Sequence, residues 1–83
     1  EDVKTQKEQF KIESNFDNGV WYGKIYSAET GKPLPGVNIV EEGTTTGTVS
    51  SLSGEFKIKV SDNQHKLVLS FIGYQTAKLT APE

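Results

Sequence analysis

The sequence predicts an all-β fold, an antiparallel β-sandwich of six to seven strands, on three observations. Short segments alternate apolar and polar residues with the strand period. Turn signals built on glycine, proline and asparagine recur roughly every 8 to 12 residues. No segment carries the apolar spacing of an amphipathic helix. The chain has 83 residues, enough for one small domain and too few for two. It has no cysteine, so disulfides and thiolate metal sites are excluded, and the single histidine, His65, cannot build a zinc cluster by itself. Stability must therefore come from packed strands.

Residues 1 to 19 read as a flexible leader. Their apolar residues (Val3, Phe10, Ile12, Phe16) are sparse and sustain no period, although "QFKIE" could add a short edge strand. Asn18 and Gly19 give a turn signal, and the sandwich is expected over residues 20–80, with 81–83 beginning a linker. In "VWYGKIYSA", Trp21, Gly23 and Ile25 share one face and Tyr22, Lys24 and Tyr26 the other. Trp21 belongs in the core, because a domain this small needs its largest apolar side chain there. Gly23 marks a bulge or a close approach. "ETGKPLPG" is a loop, since its prolines and glycines do not fit a ladder.

"VNIVEE" is the next strand, and "TGTVSS", from Thr46 to Ser51, is a weaker one rich in β-branched residues. "SLSG" turns the chain at Gly54. "EFKIKV" points Phe56, Ile58 and Val60 inward and Glu55, Lys57 and Lys59 to water. "SDNQ" is a polar turn. "KLVLSFIG" is apolar on both faces, as expected of a central strand covered on two sides. "YQTAKLT" closes the set with Ala77 and Leu79 inward.

Charge excludes further classes. Residues 1 to 18 hold five acids and three lysines, while six acids balance six lysines from Gly19 onward. There is no arginine and no lysine stripe interleaved with aromatics, so nucleic acid is not an expected partner. No apolar run approaches the length of a membrane span, and no signal-peptide pattern is present.

The chemical candidates are few. "EEGTTTGTVSS" places three threonines between two glycines, but no lysine and no helix follow as a phosphate loop requires. Glycine turns with threonines bonding locally to the backbone explain it more simply. The remaining role for the cluster is a polar contact surface through Thr44, Thr45, Thr46 and Thr48. Tyr22 and Tyr26, opposite the core face, are the aromatic candidates for a docking or ligand surface. Ser50, Ser51 and Ser53 with Asp62 and His65 contain triad residue types but no nucleophile elbow. Glu41 and Glu42 alternate faces if extended, so they do not converge as an acid/base pair. "SDNQ" supplies too few oxygens for calcium. No catalytic site, metal or cofactor is expected.

"TGKPLPGVNIV", "GTTTGTVS", "GEFKIKV" and "LSFIGYQT", taken together from about Val20 to Leu79, resemble the carboxypeptidase-D regulatory-like domain. The version they resemble is the one that forms the N-terminal extension of SusC/RagA-type TonB-dependent outer-membrane transporters of Bacteroidetes. The resemblance implies a transthyretin-like or immunoglobulin-like sandwich with no catalytic residues, facing the periplasm ahead of a plug and barrel. The implied role is an accessory, docking domain of a glycan or peptide importer. Its partners would be the rest of the transporter and a periplasmic protein. Where the family usually has an acidic D-x-D-G or D-x-N-G turn, this chain has Ser51, Leu52, Ser53 and Gly54, which weakens side-chain capping. The leader before Trp21 is longer than the family pattern. A carbohydrate-binding or adhesion module is the alternative, resting on Tyr22, Tyr26 and the threonine loop.

Overall fold

The computed structural model describes residues 8–60 and 66–80. Seven strands lie there: β1 (Phe10–Asp17), β2 (Val20–Ser27), β3 (Asn38–Glu41), β4 (Gly47–Val49), β5 (Glu55–Lys59), β6 (Lys66–Ser70) and β7 (Ala77–Thr80). No helix occurs among the described residues. The strands form a three-stranded sheet in the order β1-β2-β5 and a four-stranded sheet in the order β4-β3-β6-β7. Every strand pair is antiparallel. From β2 onward each strand falls within a segment read as extended. The turn expected at "SDNQ" and the linker at 81–83 lie outside the described residues.

Alternation is what makes the two layers possible, because one face of each strand then consists of side chains that leave water together. From the three-stranded sheet come Trp21, Ile25, Phe56 and Ile58; from the other come Ile39, Leu67 and Leu69, with Val37 and Val60 at the margins. All nine are between 0 and 6% exposed. Phe10, Ile12, Phe16, Leu34, Phe71, Ala77 and Leu79 pack around them as a half-buried rim. Trp21 takes the core position expected of it, with the Phe16 ring edge-on at 5.4 Å between centroids.

Gly23 sits in an unbroken register, opposite Ser14 on one side and Phe56 on the other. It marks a close approach and not a bulge. A Cβ there would stand 2.5 Å from Phe56 Cε2 and 2.9 Å from the Glu13 carbonyl oxygen, so the absence of a side chain lets the Phe56 ring lie across the strand. At the β1–β2 hairpin Asn18 and Gly19 both have positive φ, 52° and 78°. That is the signature of a two-residue turn whose twist matches its strands.

Two expectations need correction. Phe10–Asp17, placed in a flexible leader, is an eight-residue strand paired with β2 along its whole length. The signal was present but interrupted: Phe10, Ile12 and Phe16 keep the strand period, with Ser14 in the fourth inward place. A polar residue is tolerated there because Ser14, opposite the bare Gly23, is exposed. The second correction concerns β6. It is central in its sheet, between β3 and β7, yet only its Leu67–Leu69 face is sealed, and Val68 on the opposite face is half-buried. A two-layer fold covers each sheet once. Ile72, just past β6, is 91% exposed.

Substituting Gly23 by alanine should destabilise the domain by about 1–3 kcal/mol through overpacking. Urea unfolding measures it, and Phe56→Leu in the same chain should recover part of the loss. An unchanged midpoint would contradict the packing described.

Candidate functional site

The surface candidates are best followed outward from β2, whose pleat sends Tyr22, Lys24 and Tyr26 away from the core. Pairing on both sides of β2 sets them in cross-strand rows. Glu13, Lys24 and Glu55 form one row, Asn15, Tyr22 and Lys57 another, and Lys11 stands opposite Tyr26. Neighbours in such rows interact directly. Lys24 Nζ lies 3.9 Å from Glu55 Oε2 and 6.0 Å from the Tyr26 ring centroid. Lys57 Nζ lies 5.7 Å over the Tyr22 ring. Opposite charges alternate across the face, so local fields largely cancel.

This face borders an open groove of about 780 Å³. Tyr22, Lys24 and Lys57 line it from one side, Thr48 and Val49 of β4 from the other. Tyr22, 43% exposed, and Thr48 are thus brought together. Tyr26, Thr44, Thr45 and Thr46 are not part of that lining.

The threonine cluster mostly serves the chain turn. Thr44 N–H and Thr44 Oγ1 both donate to the Glu41 carbonyl, at 3.1 and 2.9 Å, while Thr44 Oγ1 accepts from Thr46 N–H at 3.0 Å. Glu41 N–H closes the loop on the Thr46 carbonyl at 2.8 Å. Gly43, at φ 83°, supplies the left-handed residue. A hydroxyl engaged twice by its own loop has little capacity left for a ligand. Thr45 and Thr46 remain exposed. Thr48 pairs with the buried Ile39 and is half-buried beside it.

The triad residue types do not converge. Ser50 is 6% exposed; its Oγ accepts from Val37 N–H at 2.9 Å and donates to the Leu34 carbonyl at 2.7 Å. That hydroxyl joins the proline loop to the start of β3. Ser51 Oγ instead accepts from Glu55 N–H at 3.2 Å and sits 3.3 Å from Ser53 Oγ. It provides, without charge, the side-chain capping that the missing acids would have given. Asp62 and His65 lie outside the described residues. Glu41 and Glu42 do part as extended backbone requires: Glu41 is fully buried, whereas Glu42 faces solvent with its Oε1 3.6 Å from Lys78 Nζ. Among the described residues no group of three or more histidines, cysteines or acids is placed to hold a metal, and no helix is long and apolar enough to cross a membrane.

Sequence reasoning missed Glu13, Ser14 and Asn15, which line the groove. They belong to β1, whose period-two signal was the one available clue.

Removing the Ser50 hydroxyl should cost about 1–3 kcal/mol, because Ser50→Ala leaves a buried N–H and a carbonyl without their partner. Thermal unfolding reports it. The Thr44→Val change, at a more exposed site, should cost less than Ser50→Ala in the same assay.

Comparison with known proteins gives a consistent result. The profile of the CarboxypepD_reg-like domain family matches residues 21–82. The chain is similar to TonB-dependent receptor SusC of Bacteroides thetaiotaomicron, at 44% identity over 55 residues, 66% of this chain and 5% of that protein. It is similar to TonB-dependent receptor P3 of Formosa agariphila, at 39% over 57 residues, 69% of this chain and 6% of the relative. A third relative is TonB-dependent receptor P39 of the same organism, at 41% over 51 residues, 61% of this chain and 5% of the relative. The matched region spans 5 to 6% of the length of these receptors. No solved structure matches at a significant level.

Proposed function

Because the chain belongs to the CarboxypepD_reg-like domain family, we propose that it is a non-catalytic accessory domain of a TonB-dependent importer of glycans or peptides. It sits on the periplasmic face of the outer membrane and acts by docking. The observation that carries this reading is the similarity to three TonB-dependent receptors, over most of this chain and a twentieth of theirs. A module of that size within a receptor works through its contacts with the remainder, the plug and barrel, and with a periplasmic protein.

The surface suits that role. The Thr44 hydroxyl is spent on the fold, the outer face of β2 is charge-balanced, and a groove stands open between Tyr22 and Thr48. Balanced charge and a shallow, open groove favour a transient protein contact over a deep ligand pocket. In-frame removal of residues 20–80 from the full receptor should reduce substrate-dependent growth while the receptor still reaches the outer membrane, or should lower its outer-membrane abundance on immunoblots. Wild-type growth on every imported substrate with wild-type abundance would refute the proposal.

A second reading, a carbohydrate-binding or adhesion module, is favoured by Tyr22 and Thr48 sharing one groove. Against it, the Lys57 ammonium lies over the Tyr22 ring, where the apolar face of a sugar would stack. In an NMR titration with oligosaccharides at millimolar concentration, the docking reading expects silent Tyr22 and Thr48 resonances. Saturable shifts clustered on those two would transfer support to the glycan reading.

A further inference from the structure

The family match begins at Trp21, whereas β1 ends at Asp17. The outer strand of the three-stranded sheet is therefore contributed by residues preceding the matched domain. Without it that sheet would consist of β2 and β5 alone, with one backbone edge of β2 and the flanks of Trp21 and Ile25 open to water. An edge of that kind is a template for an extended peptide: the backbone supplies affinity, and side-chain pockets on alternate positions supply selectivity.

We infer that the β2 edge is a strand-docking site, held here by the chain's own residues 8–17. In trans it takes an extended segment of a partner with the same apolar spacing. The bound arm shows what the site recognises. Phe16 stands opposite Trp21 and Ile12 opposite Ile25. Phe10 stacks on Tyr74 at 5.0 Å, so a third pocket is lent by the β6–β7 loop. Glu13 stands opposite Lys24, which places an acid against a cation across the pair. Beyond β1 the same arm crosses to the other sheet. Glu8 N–H donates to the Gly73 carbonyl at 3.1 Å, and Gln75 N–H donates to the Glu8 carbonyl at 2.8 Å. The ligand class is thus an antiparallel strand with apolar residues at the places of Phe10, Ile12 and Phe16 and an acid at that of Glu13.

Within its own sheet the arm is the least sealed strand. Phe10, Ile12 and Phe16 are half-buried, while Trp21, Ile25, Phe56 and Ile58 of β2 and β5 are sealed. Weakly buried edge elements open before the core does. Tethering through the Asn18–Gly19 turn gives the arm an effective concentration in the millimolar range, so it holds the site against an untethered competitor.

The test uses the whole chain with a protease site inserted between Asn18 and Gly19, cut after folding, since loop tips tolerate insertion and nicking. A fluorescent peptide of residues 8–17 is then added and followed by anisotropy. Saturable exchange into the nicked protein, about a hundredfold weaker binding to the uncut chain, and loss of binding in the peptide carrying Ile12→Ser and Phe16→Ser are the expected results. A Glu13→Lys peptide should bind less tightly. Failure of the peptide to enter the nicked protein, or equal binding by the double-serine peptide, overturns the inference. Hydrogen exchange on the uncut chain gives a second measurement that no insertion can compromise. The β1 amides should exchange faster than those of β5; protection of β1 equal to that of the core would also overturn it.

Discussion

Everything in this domain hangs on drying one interior without covalent help. The chain has no cysteine, so no disulfide limits its unfolded state, and among the described residues its two sheets are held by nine apolar side chains buried to 6% exposure or less. Below about 80 residues such a core supplies only a few kcal/mol beyond the conformational entropy it must overcome. Small features therefore become decisive. The missing side chain at Gly23, which lets Phe56 lie flat over β2, is one. The Ser50 hydroxyl, which fastens the proline loop at Leu34 and Val37, is another.

The same scarcity accounts for the edges. A sheet of two strands would leave Trp21 half wet, and β1 corrects this by adding Phe10, Ile12 and Phe16 to the rim. Its outward residues, Lys11, Glu13, Asn15 and Asp17, are charged or polar, which discourages the new edge from recruiting another chain. Residues 8 to 10 then reach Gly73, Tyr74 and Gln75 of the opposite sheet. One segment thus thickens one layer and ties both together.

Functional reading follows from where polar groups are spent. Thr44 and Ser50 look like ligands in the sequence, yet each hydroxyl is engaged twice by nearby backbone. Tyr22 and Thr48, far apart in the chain, are the candidates that a groove unites. The groove is assembled from β1, β2, β4 and β5, and its balanced charge is what the proposed docking role draws on.

Local pattern was sufficient for much of this. The alternation in "EFKIKV" and "VWYGKIYSA" fixed which side chains of β2 and β5 face inward, because a pleated backbone leaves no other choice, and Asn18–Gly19 announced a turn that the structure shows to be a hairpin. What the pattern could not decide was which strands lie side by side. That Lys24 stands between Glu13 and Glu55, that Gly23 must be bare because of Phe56, and that β6 is covered on one face only are long-range facts. They arise when separate segments compete for the same dry interior, and no window of neighbouring residues contains that competition.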